Sequence, residues 1–198
     1  MYSCQCTLIF YQHVIQAKFR LVNKHGRSVL RTIRIEKELD DVIQQDAKRN
    51  RLSFNSHISR IITKYSEWDR FSERWGVISL RREAFKSILE AIESDKLVGI
   101  AKDIGHHVPK EFIVFWFKKI NLDTYLQYLS LVCQYAKFAE CEIDNDGKDY
   151  TIILSHDIGQ KWSEFLAVWL TEGLKDTLGI LPKIDTTRNS IVVRFHMD

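Results

Sequence analysis

Residues 31–35, Arg-Thr-Ile-Arg-Ile, place two side chains that can hydrogen-bond to nucleotide bases two positions apart. Successive side chains of a β-strand point to opposite faces, so Thr32 and Arg34 share one face while Ile33 and Ile35 share the other. An arginine can donate two hydrogen bonds to a guanine edge, and a threonine can offer its hydroxyl or methyl group to a base. The pattern is typical of a strand that reads the major groove of DNA.

Such a strand requires a partner. A lone strand leaves its backbone hydrogen-bonding groups unpaired, and a two-stranded ribbon is only marginally stable without a core behind it. Pairing with the same strand of a second chain, over a helical core, meets both needs. The sequence therefore predicts a homodimer, or a higher oligomer, that presents a two-stranded ribbon.

Two amphipathic helices are predicted after this strand. The first covers residues 36–49, with acidic residues at its start and basic residues at its end, as the helix dipole favours. Ser53 is a favourable N-cap for the second, and the backbone amides around Ser53 and Asn55 can hold a phosphate. Apolar residues at helical spacing mark the inner faces: Leu39, Val42, Ile43, Ala47, Ile58, Ile61, Ile62 and Tyr65.

The order of elements over residues 31–65 resembles the ribbon-helix-helix superfamily, which includes the MetJ and Arc repressors. The resemblance is carried by the strand, the acidic helix start, the short turn and the Ser-started helix with an Ile-Ile pair. It implies that Leu30, Thr32 and Arg34 contact bases and that Ser53 and Asn55 clamp a phosphate. The family commonly has a glycine in the turn where this chain has Arg51, so we expect Asn50 to supply the left-handed residue.

Charge is distributed unevenly along the chain. Residues 1–65 contain twelve Lys and Arg against five Asp and Glu, a net charge of +7. Residues 66–198 contain 17 against 21, a net charge of −4. Because the basic part coincides with the resemblance, it supports affinity for nucleic acid. Further phosphate contacts are expected from four arginines: Arg27, Arg31, Arg51 and Arg60.

Three regions are predicted: a loosely ordered arm over residues 1–25, a DNA-binding domain over 26–74 and an α+β regulatory or assembly domain over 76–198. The last should be a small, mostly antiparallel sheet covered by helices. Within it we expect a short strand at residues 77–80, a helix break at residues 105–109, a hairpin turn at residues 145–147 and a helix capped by Asp157. Its numerous aromatic residues are interpreted as core, with an apolar ligand pocket as the alternative.

Residues that could bind metal or perform catalysis are scattered. His106, His107, Cys133, Cys141 and His156 are suitable ligand types, but their spacings fit no zinc motif. The Cys4-Gln5-Cys6 pair is equally weak. We therefore predict no metal and no cofactor.

Signatures of catalysis are also missing. The sequence has no P-loop, GxSxG, HExxH or dinucleotide-binding motif. His156, Asp157 and Ser163 suggest a hydrolase, but a strand end and a helix cap explain the first two without chemistry. We expect a protein that is not an enzyme.

The sequence contains no apolar run of the roughly 18–20 residues that span a bilayer and no secretory signal, so we expect no membrane partner. Its four cysteines form no extracellular disulfide framework. We thus expect a cytoplasmic, homodimeric transcriptional regulator, such as a repressor, that binds double-stranded DNA and responds to a small-molecule or protein effector. The alternatives are an antitoxin-like protein whose C-terminal domain binds another polypeptide, and an interaction protein with no nucleic-acid role.

Overall fold

A computed structural model describes residues 29–197 of the chain. The fold is α+β, as predicted, with helices and one four-stranded antiparallel sheet. The chain divides into two compact units between Ile58 and Ser59, within the second helix, and each unit is described by itself. The predicted arm over residues 1–25 and the phosphate contact Arg27 lie outside the described residues.

The first unit contains helix α1, Lys37–Arg49, and the start of helix α2, Phe54–Lys64. Residues 29–36, where the ribbon strand is predicted, form no strand in the single chain. A strand exists only through hydrogen bonds to a neighbouring strand. Because the predicted neighbour belongs to a second copy, the ribbon stays a prediction.

The second unit continues α2 through a π-helical turn, Tyr65–Asp69, into helix α3, Arg70–Trp75. Gly76 ends α3 with a left-handed φ of +77°. The strand predicted at residues 77–80 is wrong, since these residues form no regular element. The remaining helices are α4, Arg82–Ala91; α5, Ser94–Phe117; α6, Leu122–Leu131, extended by a π-helical turn, Val132–Ala136; and α7, Gln160–Leu178.

Helix α5 runs unbroken through residues 105–109, so the predicted helix break is wrong. Pro109 lies inside the helix, although proline there removes a backbone hydrogen bond and clashes with the preceding turn. Tertiary packing compensates, because the buried Pro109 ring lies against Gly173 of α7. A Cβ atom on Gly173 would lie only 3.1 Å from Pro109 Cγ.

The sheet consists of β1, Glu140–Asn145; β2, Asp149–Ser155; β3, Lys183–Thr186; and β4, Ser190–His196. Its strand order is β1-β2-β4-β3, with every pair antiparallel. The predicted hairpin joins β1 to β2, and Gly147 in its turn has a φ of +110°. Side chains alternate between the two faces. The face that packs into the core carries Ile152, Leu154, Ile191 and Val193.

Helix α7 begins at Gln160, with Gly159 at the N-cap position, so the prediction that Asp157 caps this helix is wrong. Gly159 has a φ of +120°, a conformation that glycine adopts without strain. The Asp157 carboxylate instead accepts a hydrogen bond from Arg82 Nη1 at 2.6 Å. This ion pair ties the start of α4 to the loop before α7.

Aromatic residues form much of the core of the second unit, which confirms the core interpretation. Phe112 and Trp116 stack with their ring centroids 3.8 Å apart, and Trp68 packs against both. The indole of Trp116 donates to the Glu67 carbonyl, and the hydroxyl of Tyr135 donates to the Glu67 carboxylate. Among residues 29–197, every helix is too short or too polar to cross a membrane.

Candidate nucleic-acid interface

The turn between α1 and α2 is closed by Arg51 in the left-handed conformation, with a φ of +55°. The Arg51 amide donates to the Lys48 carbonyl at 3.0 Å, and the Leu52 amide donates to the Ala47 carbonyl at 2.9 Å. These two bonds form a Schellman motif, the helix ending for which glycine is usually chosen. The expectation that Asn50 supplies the left-handed residue is wrong, since its φ is −87°.

Asn50 has a different role in this turn. Its side-chain amide donates to the Asp46 carbonyl at 2.7 Å, and its backbone amide donates to the same carbonyl at 3.0 Å. The left-handed position therefore falls on Arg51, the place where the ribbon-helix-helix superfamily commonly has glycine.

Ser53 caps α2, as predicted. Its Oγ accepts a hydrogen bond from the Ser56 amide at 3.1 Å and lies 2.8 Å from Ser56 Oγ. Asn55 is exposed in the first turn of the same helix. First-turn amides have no acceptor within their own helix, so this helix start, with Arg51 immediately before it, offers a suitable site for an anion.

The three predicted base-contacting residues are all exposed in the segment before α1. Leu30 has 91% of its surface accessible, and Thr32 and Arg34 are also exposed. Arg31 is exposed beside them, and its Nη1 donates to the Leu30 carbonyl at 3.1 Å. The single chain leaves these side chains available but does not align them on a strand.

The basic side chains expected to contact phosphate are likewise available. Arg31, Arg51 and Arg60 are exposed, and none of them forms a salt bridge with another residue in the range 29–197. Two acidic residues of α1 form ion pairs within their own helix: Asp41 pairs with Lys37, and Asp46 lies 3.2 Å from Arg49. Local pairing thus partly neutralises the negative charge of this helix.

Both helices beside the turn expose apolar side chains that the sequence predicted to be buried. Of residues 29–58, only Ala47 is buried. On α1, Leu39 and Val42 are each more than half exposed. On α2, Ile61 and Ile62 are also exposed. Leu39 and Val42 lie three positions apart, and Ile61 and Ile62 form one stripe with the exposed Tyr65 that follows α2, so the single chain leaves two apolar faces uncovered.

The metal and catalytic candidates lie in three separate places in the second unit. The Cys133 thiol hydrogen-bonds with Cys141; this bond and burial raise the pKa of the Cys133 thiol. His156 lies beside Ser163. The side chain of His106, on α5, lies near Glu172 and Asp176 of α7.

The His156 and Ser163 pair fixes the start of α7. His156 Nδ1 accepts from the Ile158 amide at 3.3 Å, so the proton lies on Nε2, which donates to Ser163 Oγ at 2.9 Å. Burial lowers the pKa of His156, outweighing the opposite effect of Asp157, and so favours this neutral form. Ser163 has no exposed surface, so its hydroxyl is not available to a substrate.

Sequence reasoning did not find Glu172 and Asp176 as partners of His106. The available signal was their four-residue spacing, which places two carboxylates on one helix face. Their meeting with a histidine 66 positions earlier depends on the packing of α5 against α7.

Comparison with known proteins yields no family: no family model matches the chain, and a search of curated proteins also gives no match.

Proposed function

We propose that the chain is a homodimeric, sequence-specific DNA-binding regulator of transcription. The observation that carries this proposal is the pair of exposed apolar helix faces joined by a Schellman turn. The turn has its left-handed residue where the resemblance calls for glycine. A second copy is the occupant that would cover these faces and also pair the segment before α1.

Burial in a dimer supplies the missing stabilisation. Residues 29–58 bury only Ala47, too little to offset the conformational entropy that folding costs. Each Leu, Val or Ile that becomes buried contributes about 1.5–3 kcal/mol. In the proposed dimer each copy buries Leu39 and Val42 of this unit against its partner, with the paired strands above them. The proposal makes dimerisation a condition for folding this unit.

The same arrangement assigns a role to each residue that the resemblance and the charge pattern indicated. Thr32 and Arg34 reach base edges from the ribbon, while Leu30 contacts a thymine methyl group. Arg51, Ser53 and Asn55 hold a phosphate at the start of α2, and Arg27, Arg31 and Arg60 bind the backbone on either side. The phosphate contacts set the register, and the ribbon supplies sequence specificity.

In this proposal the second unit, which the aromatic core stabilises separately, serves assembly or effector response. The effector is a small molecule or a protein. No membrane partner is involved, and the site of action is cytoplasmic DNA.

The test is selection of genomic DNA fragments by the full chain, followed by sequencing of the retained fragments and measurement of affinity. We expect one recurring, nearly palindromic site and a steep fall of affinity with salt. Arg34→Ala should cost about 1–3 kcal/mol on this site and relax preference at one base pair.

Arg31→Ala is the matched control, since Arg31 lies on the opposite face of the predicted strand from Arg34 and is assigned to phosphate. It should weaken binding to all sequences to a similar extent. Equal loss on every sequence for Arg34→Ala would refute base reading by Arg34. If no fragments are retained and a small polypeptide co-purifies, the proposal is refuted and the antitoxin-like alternative is supported.

A further inference from the structure

We propose that His106, Glu172 and Asp176 form a binding site for a divalent transition-metal ion between α5 and α7. The site lies in the second unit and is independent of the proposed DNA-binding function. One nitrogen or oxygen atom from each of the three side chains lies within 4.8 Å of the other two.

Close helix packing creates this arrangement. At Gly105 a Cβ atom would lie 2.8 Å from the Trp169 carbonyl and 3.0 Å from Glu172 Cβ, so only glycine allows α5 to approach α7 this closely. The next residue, His106, is thereby brought beside the helix face of α7 that carries Glu172 and Asp176. Their four-residue spacing places both carboxylates on the side that faces the imidazole.

Glu172 provides the second observation. Its side chain is 15% exposed, and its Oε2 atom has no accessible surface and no hydrogen-bond partner among residues 29–197. Lys175 Nζ lies 3.6 Å and His106 Nε2 3.8 Å from this oxygen, both beyond a normal hydrogen bond. A buried carboxylate oxygen that accepts no hydrogen bond is costly, even with an ammonium group nearby. A coordinated cation would satisfy it.

The remaining two ligands have the freedom to complete the site. His106 contacts Asp176 through Nδ1, and these side chains are 42% and 29% exposed. In a tetrahedral site with bonds of about 2.0–2.2 Å, donor atoms lie roughly 3.3–3.5 Å apart. Reaching this spacing requires rotation of His106 and Asp176 towards Glu172, which their exposure permits. Water would supply the fourth ligand.

The donor set indicates the class of metal. One imidazole nitrogen with two carboxylate oxygens suits borderline ions such as Zn²⁺, Ni²⁺ or Co²⁺. Ca²⁺ and Mg²⁺ prefer oxygen ligands alone and require more of them. The site is therefore expected to bind a transition metal, for which Zn²⁺ is a suitable probe.

The experiment is calorimetric titration of the full-length, chelator-treated protein with ZnCl₂, and separately with MgCl₂. We expect one Zn²⁺ equivalent per chain that His106→Ala abolishes or weakens at least about 100-fold, since even residues behind metal ligands commonly contribute 10- to 100-fold. Glu172→Gln, which keeps the shape of the side chain, should have a similar effect. Zinc should raise the melting temperature of the wild-type protein but not that of either variant.

His107→Ala is the matched control. His107 neighbours His106 on α5, but its Nδ1 donates to the Asp103 carbonyl at 3.0 Å and it takes no part in the cluster. This variant should bind zinc like the wild type. Zinc binding unchanged by His106→Ala would place the metal elsewhere, for example on the thiols, and overturn the proposal. Absence of zinc binding would show that the cluster is only an ion-pair network, and equal affinity for Mg²⁺ would contradict the metal class.

Discussion

Arg51 combines an unfavourable backbone conformation with a proposed role in phosphate binding. A left-handed φ costs a residue with a Cβ atom roughly 1–2 kcal/mol relative to a right-handed one, yet Arg51 adopts a φ of +55°. Glycine would close the same turn without this cost. The proposed phosphate contact gives a physical reason for a basic side chain at a position that glycine suits better.

Arg51→Gly should therefore raise the free energy of unfolding by about 0.5–1 kcal/mol, because relief of strain exceeds the added flexibility of the unfolded chain. The same variant should bind DNA more weakly on all sequences. The slope of log affinity against log salt concentration should fall in magnitude by about 1. Urea denaturation and affinity measured at several salt concentrations provide the two readouts.

Arg51→Ala separates the two effects, since it removes the guanidinium but keeps the Cβ atom and thus the strain. It should weaken DNA binding to the same extent without stabilising the protein. A less stable Arg51→Gly variant would mean that the arginine side chain, not the turn, governs stability here.

At the scale of elements, the packing of α5 against α7 brings together the residues of the proposed metal site. Gly105 and Gly173 allow the two helices to approach closely, and Pro109 is accommodated opposite Gly173. Because interiors are close-packed, added atoms at such a crossing force the helices apart. The geometry of the proposed metal site depends on this separation.

Gly105→Ala should lower the free energy of unfolding of the second unit by about 1–3 kcal/mol, the usual cost of overpacking. The new Cβ atom would meet the Trp169 backbone, which cannot rotate away. Gly99→Ala on the same helix is the control, since a Cβ atom there meets nothing within 4 Å. It should stabilise by about 0.5–1 kcal/mol through helix propensity, and similar urea midpoints for the two variants would contradict a tight crossing.

At the scale of the whole molecule, the two units differ in how they are stabilised. The second unit buries an aromatic core and one face of a sheet, whereas residues 29–58 bury only Ala47. The second unit thus has its own core, whereas the proposal makes folding of the first unit depend on a second copy. Dimerisation and DNA binding should therefore be lost together.

Leu39→Lys should convert the protein to a monomer at micromolar concentration and abolish specific DNA binding, because a charge on the apolar face of α1 cannot be buried cheaply. Sedimentation equilibrium and gel shifts measure the two effects. Leu181→Lys provides the control: Leu181 is even more exposed, at 72% against 54% for Leu39, but lies outside the proposed interface. A wild-type protein that is monomeric at all concentrations would refute the proposal.

Local patterns predicted the helices, the Ser53 cap, the hairpin at residues 145–147 and the aromatic core, because short-range propensity and spacing determine these features. They failed where distant packing or precise backbone geometry decides. Pro109 stays inside a helix because α7 accommodates it, and Asp157 pairs with Arg82 instead of capping α7. Of the candidate interface, the sequence could indicate polar residues, but it did not indicate that Arg51 is the left-handed residue.

By itself, the sequence determined the α+β class, the uneven charge and the alternation of Thr32 and Arg34 with isoleucines, all of which depend on residue type and period. Only the tertiary structure decided that Glu172 and Asp176 meet His106, and that α1 and α2 leave apolar faces uncovered. The reason is physical: periodicity states which face of an element is apolar, whereas the identity of what covers that face depends on contacts between residues far apart in the chain.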